Sequence, residues 1–244
     1  MDGIKRMKPG GRQTGLTGWL TTWLVAWLGV FLAAVFFSAT LKNDAFAASA
    51  YRLVSQGLFV TLAALLLLPL PQRWPGLIAT SLSSAAVFLL LSSWSGADAV
   101  PAAVLFRLTL LVFCLSLALW SLLQLSGALF PAQAGLRSIV ALLFCTVLAL
   151  PLWLGPVVEL LQPGNTSLDS LIAITPLTHF SVAADYDYLR SEWFYRNTPF
   201  GSLPFHYPGF YSIVTVYLLT VGMLQLARWW VGRKFTAILA TQNL

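Results

Sequence analysis

The sequence has too little charge to face water. Only 9% of its 244 residues are Asp, Glu, Lys or Arg, against roughly 25% in an ordinary globular chain, so no soluble surface can be assembled from it. Histidine and cysteine are equally scarce, at two copies each. Cys114 and Cys145 both fall inside apolar runs and read as small packing residues rather than an extracytoplasmic disulfide. They form no CxxC pair, and no histidine lies in any apolar run, which argues against a zinc site and against histidine-ligated haem in a bilayer. The chain contains no Gly-x-Ser-x-Gly, His-Glu-x-x-His or Gly-x-x-x-x-Gly-Lys-Ser/Thr sequence. An enzyme is therefore not expected, nor a cofactor in this chain. With no basic patch interleaved with aromatics, nucleic acid is not an expected partner either.

What the sequence has in abundance is apolar residues, at 58%, with a mean hydropathy of +0.80. They fall in runs long enough to cross a hydrocarbon core about 30 Å thick, which takes a helix of about 20 residues. Six spans are predicted: Trp19–Thr40, Tyr51–Pro71, Gly76–Trp94, Pro101–Ser126, Ser138–Leu161 and Tyr211–Trp230. None shows the period-2 alternation of a barrel strand. The expected fold is all-α, a polytopic membrane protein solvated by the lipid bilayer. The first run is longer than a signal-peptide core and is read as retained, despite the Ala45–Ala50 stretch that imitates a cleavage site.

Orientation follows from Lys and Arg, which concentrate on cytoplasmic loops. With both termini inside, Lys5, Arg6, Lys8, Arg12, Arg73, Arg137, Arg228, Arg233 and Lys234 all fall on the cytoplasmic side. Asp44, Asp98, Glu159, Asp169, Asp185, Asp187 and Glu192 fall on the other side or its interface. The net charge of +6 is thus a topology signal. The layout predicted is a basic cytoplasmic N-terminus over 1–18, five spans over 19–161, an extracytoplasmic loop over 162–210, a sixth span over 211–231, and a cytoplasmic tail over 232–244. Tryptophans near span ends, among them Trp19, Trp74, Trp94, Trp193, Trp229 and Trp230, read as an interfacial aromatic belt.

Polar residues inside the runs are mostly hydroxyls, including Ser81, Ser83, Ser84, Ser92, Ser93, Ser116 and Thr146, with Gln56 and Gln124. Close helix packing and hydrogen bonds account for them; a polar route along the Ser-rich third span is the alternative. Arg107 and Glu159 lie near outer span ends, where a charge at membrane depth is costly unless paired or wet. They are a candidate interhelix ion pair, the alternative being that each snorkels to the interface.

The loop between the fifth and sixth spans is the most distinctive segment. Thr175–Pro176 can open a short helix, with proline in its first turn. Leu177, Phe180, Ala184 and Leu189 then give an apolar stripe suited to an interfacial or re-entrant helix. The polar and aromatic residues beside it, His179, Asp185, Asp187, Arg190, Trp193 and Tyr195, are read as an outer gate or cap rather than an active site.

Six spans with both ends inside and a helical outer loop before the last, together with the Ile174–Arg190 text and the later Trp193-Phe194-Tyr195 and Phe205-His206-Tyr207-Pro208, resemble the permease subunits of the type-2 export class of ABC transporters. The resemblance implies a homo- or heterodimer with another permease, forming the substrate path in a bacterial inner membrane. It also implies a separate cytoplasmic ABC ATPase that carries ATP and Mg, with the outer loop capping the pathway. The connection Pro69–Pro75, where that class docks its ATPase, is short here. A non-catalytic scaffold or anchor subunit of a larger membrane complex is the competing reading.

Overall fold

The computed structural model describes residues 24–32, 49–94, 100–130, 135–153, 166–189 and 206–242. Among them every regular element is a helix, and no strand occurs. In chain order these are α1 (24–32), α2 (Ser49–Leu67), α3 (Trp74–Trp94), α4 (Ala102–Leu129), α5 (Leu136–Leu148), α6 (Leu150–Trp153), α7 (Thr166–Ile174), α8 (Pro176–Ala183) and α9 (Phe210–Gln242).

Proline sets many of the boundaries. It has no N–H to lose in a first turn and disfavours helix at the residue before it. Pro75, Pro101, Pro151 and Pro176 each stand at or just inside a helix start, while α2 stops ahead of Pro69 and Pro71. Four helices are long and apolar enough to cross a membrane: Ala50–Leu67 within α2, α3, α4, and Phe210–Arg233 within α9. The chain is thus a polytopic helical protein.

The fifth and sixth of the predicted spans differ in extent, and the first lies mostly outside the described residues. Only 24–32 of the first is described, as helix. The fifth, predicted as one run over Ser138–Leu161, breaks at Ala149 between α5 and α6. Pro151 is the reason, since its ring collides with the carbonyl four residues back and cannot donate to it. Residues 154–165 lie outside the described residues. The last helix overshoots its predicted end at Trp230 and runs on to Gln242.

The centre of the bundle is α4, which packs against α2, α3 and α9. Its buried face includes Leu108, Leu111, Val112, Leu115, Trp120 and Leu123. Lipid is as apolar as these side chains, so close packing and interhelical hydrogen bonds hold the bundle rather than transfer from water. On α3 the small residues Ser81, Ser84 and Ala85 face inward beside Phe88 and Leu91. The hydroxyls of Thr80, Ser81, Ser83, Ser84 and Ser93 donate back to carbonyls of their own helix. They are satisfied locally while their small volume lets α4 approach. Phe31 of α1 stacks on Trp94 at the end of α3, with ring centroids 6.5 Å apart.

The two ends of the bundle differ in charge. One gathers the α2–α3 connection with Arg73, the start of α5 with Arg137, and the later turns of α9 with Arg228 and Arg233. The other gathers α7, α8, Arg107 near the start of α4, and the first turns of α9. The acids of the described residues, Asp169, Asp185 and Asp187, all belong to this second end.

Candidate functional site

At the acidic end, α7, α8 and the reversal after them form a helical hairpin in which α8 sinks between the long helices, packed against α2, α4 and α9. Thr175, in extended conformation, caps α8, and Pro176 follows as its first residue. The apolar face of α8 then carries Phe180, fully buried, into the bundle. The Phe180 ring lies over Gly57 of α2, so close that a Cβ on that glycine would fall far inside van der Waals contact with Cε1. The same Cβ would also stand 3.3 Å from Val112 of α4. Gly57 and Val112 are each two to three turns from the first residues of their helices, so α8 is packed into the bundle rather than laid over its end.

Sinking polar groups this far requires partners for them. Thr175 Oγ1 donates to the Ile172 carbonyl at 2.8 Å. Its proton thus committed, it accepts from Thr178 Oγ1 at 2.6 Å, and Thr178 accepts from Tyr188 Oη at 3.1 Å. The chain Tyr188 to Thr178 to Thr175 to carbonyl closes the hairpin on itself. Burial pushes the Tyr188 phenol above its ordinary pKa, which keeps it the donor at the head of that chain.

His179 is fixed in one tautomer. Its Nε2 lies 2.6 Å from the Ala173 carbonyl, which can only accept, so Nε2 carries the proton. Nδ1 then accepts from the Tyr217 hydroxyl of α9 at 2.8 Å. The two rings meet edge to face, with centroids 5.3 Å apart. Burial lowers the His179 pKa, opposed in part by the bond to Ala173, and the ring is neutral at pH 7.

Where α8 ends, the chain reverses through paired terminal hydrogen bonds. Tyr186 N–H donates to the Ser181 carbonyl at 2.9 Å, and Asp185 N–H to that of Val182 at 3.3 Å. This is the Schellman arrangement, whose turning residue is usually glycine. Here it is Asp185, the only non-glycine residue with positive φ (51°) among the described residues. The turn aims its carboxylate at Arg107 of α4, and the two form a bidentate ion pair. Beyond the turn Asp187 accepts from the Tyr207 hydroxyl at 2.6 Å, tying the hairpin to the segment that leads into α9. His206, exposed, stands 3.7 Å from Asp169 of α7.

Of the residues the sequence singled out, His179, Asp185 and Asp187 come together on this hairpin. They make separate contacts, to α9, to α4 and to the segment before α9. Arg190, Trp193, Tyr195 and Glu159 lie outside the described residues, and the partner of Arg107 in the structure is Asp185. Sequence reasoning missed Tyr217, Thr178 and Tyr188 as members of the network. The first sits unremarked in an apolar run.

The basic end holds a second polar junction. Gln124, deep in the last turns of α4, donates through Nε2 to the Pro71 carbonyl in the α2–α3 connection. Its Oε1 accepts from Arg228 of α9 at 2.7 Å and from Gln225 at 3.0 Å. Arg228 donates a second time, at 2.9 Å, to the Gln72 carbonyl of the same connection. Arg137 of α5 reaches the Leu66 carbonyl at the end of α2, at 3.3 Å. Prolines deprive this connection of helical partners, and α4 and α9 supply them, while α5 caps the end of α2.

Among the described residues no group of His, Cys, Asp and Glu is arranged to hold a metal ion. The chain matches no protein-family model, no curated protein and no solved structure at a significant level. The functional reading therefore rests on the geometry above.

Proposed function

We propose that this chain is the transmembrane permease subunit of an ABC-type transporter, with six spans and both termini in the cytoplasm of a bacterial cell. It would form the substrate path with a second permease and be driven by a separate cytoplasmic ATPase. One observation carries the reading: the α2–α3 connection, the expected ATPase contact, is hydrogen-bonded through Pro71 and Gln72 to Gln124 of α4 and Arg228 of α9. A push on that connection is passed to the two helices whose far ends hold the hairpin, at Arg107 and Tyr217. The hairpin is then the extracytoplasmic gate, and its ion pair and histidine bond are the contacts that break when it opens.

A second reading, a scaffold subunit without transport, draws on α9. Only 17% of its spanning window is buried, against 44 to 50% for the other three long helices. Its exposed side includes Val216, Leu219, Met223 and Leu226, a face that another subunit can cover in either reading. Purification of the tagged chain in mild detergent, with mass spectrometry of what accompanies it and an ATPase assay, separates the two. A stoichiometric cytoplasmic ATPase whose turnover depends on this chain supports the permease. Recovery with other membrane subunits and no ATPase replaces it with the scaffold.

A further inference from the structure

The later turns of α9 carry a groove of about 490 Å³ lined by Gln225, Arg228, Trp229, Gly232 and Arg233. Its depth follows from helix geometry: starting from Phe210, a rise of 1.5 Å per residue consumes a hydrocarbon core of about 30 Å by roughly the twentieth residue. That residue is at Trp229–Trp230, so the groove opens at the level of lipid headgroups. With the basic end cytoplasmic, as in the proposed topology, these are headgroups of the inner leaflet.

The groove is lined by two guanidiniums, and the acids among the described residues, Asp169, Asp185 and Asp187, belong to the opposite end. Arg228 is held in place by its two bonds to Gln124 and Gln72, and a guanidinium has five N–H donors. It is oriented in advance with donors to spare. Arg233 lies over the Trp229 ring, 3.9 Å from its centroid, which fixes a second guanidinium beside the first. Gly232 leaves the floor open, for a Cβ there meets nothing within 4 Å. Trp229 is half exposed and offers a flat apolar wall beside the two cations.

We propose that this groove binds the phosphodiester headgroup of an anionic phospholipid, with the glycerol and upper acyl chains against Trp229. Two positioned guanidiniums match the phosphate oxygens, and basic pockets at the cytoplasmic ends of membrane helices take such headgroups. Because Arg228 also holds the α2–α3 connection, a bound lipid braces the junction that transmits motion in the proposed permease. The lipid site itself depends on the topology, not on transport.

The test is a lipid titration of the purified full-length chain in neutral detergent, read by native mass spectrometry. Dioleoyl phosphatidylglycerol is compared with dioleoyl phosphatidylcholine and with inorganic phosphate as competitor. Saturable retention of the anionic lipid is expected, without retention of the zwitterionic one or displacement by millimolar phosphate. Arg233→Gln should weaken retention about five-fold, the contribution of one basic residue near an anionic surface. Gly232→Leu should abolish it by filling the groove, with the unfolding temperature unchanged because no neighbour is displaced. Equal retention of both lipids, or unchanged retention in Arg233→Gln, overturns the proposal. Displacement by phosphate overturns the lipid assignment in favour of a free anion. Neither readout involves an ATPase, so the permease reading stands or falls separately.

Discussion

The ring of Phe180 lies on the bare backbone of Gly57, and this contact is what lets α8 sink between α2 and α4. A side chain of any size at position 57 must displace a fully buried ring and also crowd Val112 of α4. Gly57→Ala is therefore expected to destabilise the protein by about 1–3 kcal/mol, the usual cost of overpacking. Most of that should be recovered in the double variant Gly57→Ala/Phe180→Leu, which makes room. Unfolding temperatures in detergent measure both, and full destabilisation in the double variant would count against the packing argument.

Asp185 combines two roles that ordinarily conflict. Its positive φ suits glycine, while its carboxylate meets Arg107. The carboxylate side chain is 62% exposed and Arg107 26%, so screening by water keeps the pair to about 1 kcal/mol or less. Asp185→Asn, which tolerates the left-handed region, should lose only that. Asp185→Gly also relaxes the turn and should be close to neutral in stability. If the hairpin is a gate, both variants should open it more often, read as faster labelling of a cysteine placed at Thr178. Equal labelling rates in wild type and variants would remove the ion pair from gating.

These two contacts also show where the sequence was readable. Helix α8 was legible from Thr175–Pro176 because capping is local, and Phe180 from its place on an apolar stripe. The partner glycine was not, since Gly57 is one small residue in an apolar run and only the fold brings Phe180 over it. Arg107 was marked by its charge at membrane depth, but its contact with Asp185 spans 78 positions and no spacing rule reaches that far. The fifth span reads as unbroken in the sequence because hydropathy registers Pro151 as one more tolerable residue, whereas backbone geometry breaks the helix at Ala149. Gln124 is legible as a polar residue inside a span, yet its bonds to Pro71, Gln225 and Arg228 depend on how α4 meets the α2–α3 connection and α9.

Gln124 is the residue on which the basic-end junction turns. Gln124→Leu removes the acceptor of Arg228 and Gln225 together with the donor to Pro71. Each partly buried group left without a partner costs of order 1 kcal/mol, for a total of about 2–3 kcal/mol, whereas Gln225→Leu loses one bond and should cost under about 1 kcal/mol. In a permease complex, Gln124→Leu should still co-purify with the ATPase but reduce the stimulation of its turnover. Unaltered stimulation would mean that motion is not passed through this junction.

The bond between His179 and Tyr217 sets the acid limit of the hairpin. In the folded chain the ring is neutral, with Nε2 donating to Ala173 and Nδ1 accepting from Tyr217. Burial holds its pKa below the ordinary 6.5. Between the two values the unfolded chain binds a proton that the folded chain refuses, so stability is complete above about pH 6.5 and is lost as pH falls through the folded value. Protonation at Nδ1 would leave two donors facing each other unless the Tyr217 hydroxyl turned to accept. His179→Gln keeps an acceptor for Tyr217 and a donor for Ala173 but cannot titrate. Wild-type unfolding temperature should drop on going from pH 7 to pH 5, and that drop should shrink in the variant. Every other group is common to both proteins, so the comparison isolates position 179. A pH dependence unchanged by His179→Gln would remove His179 as the source of acid sensitivity.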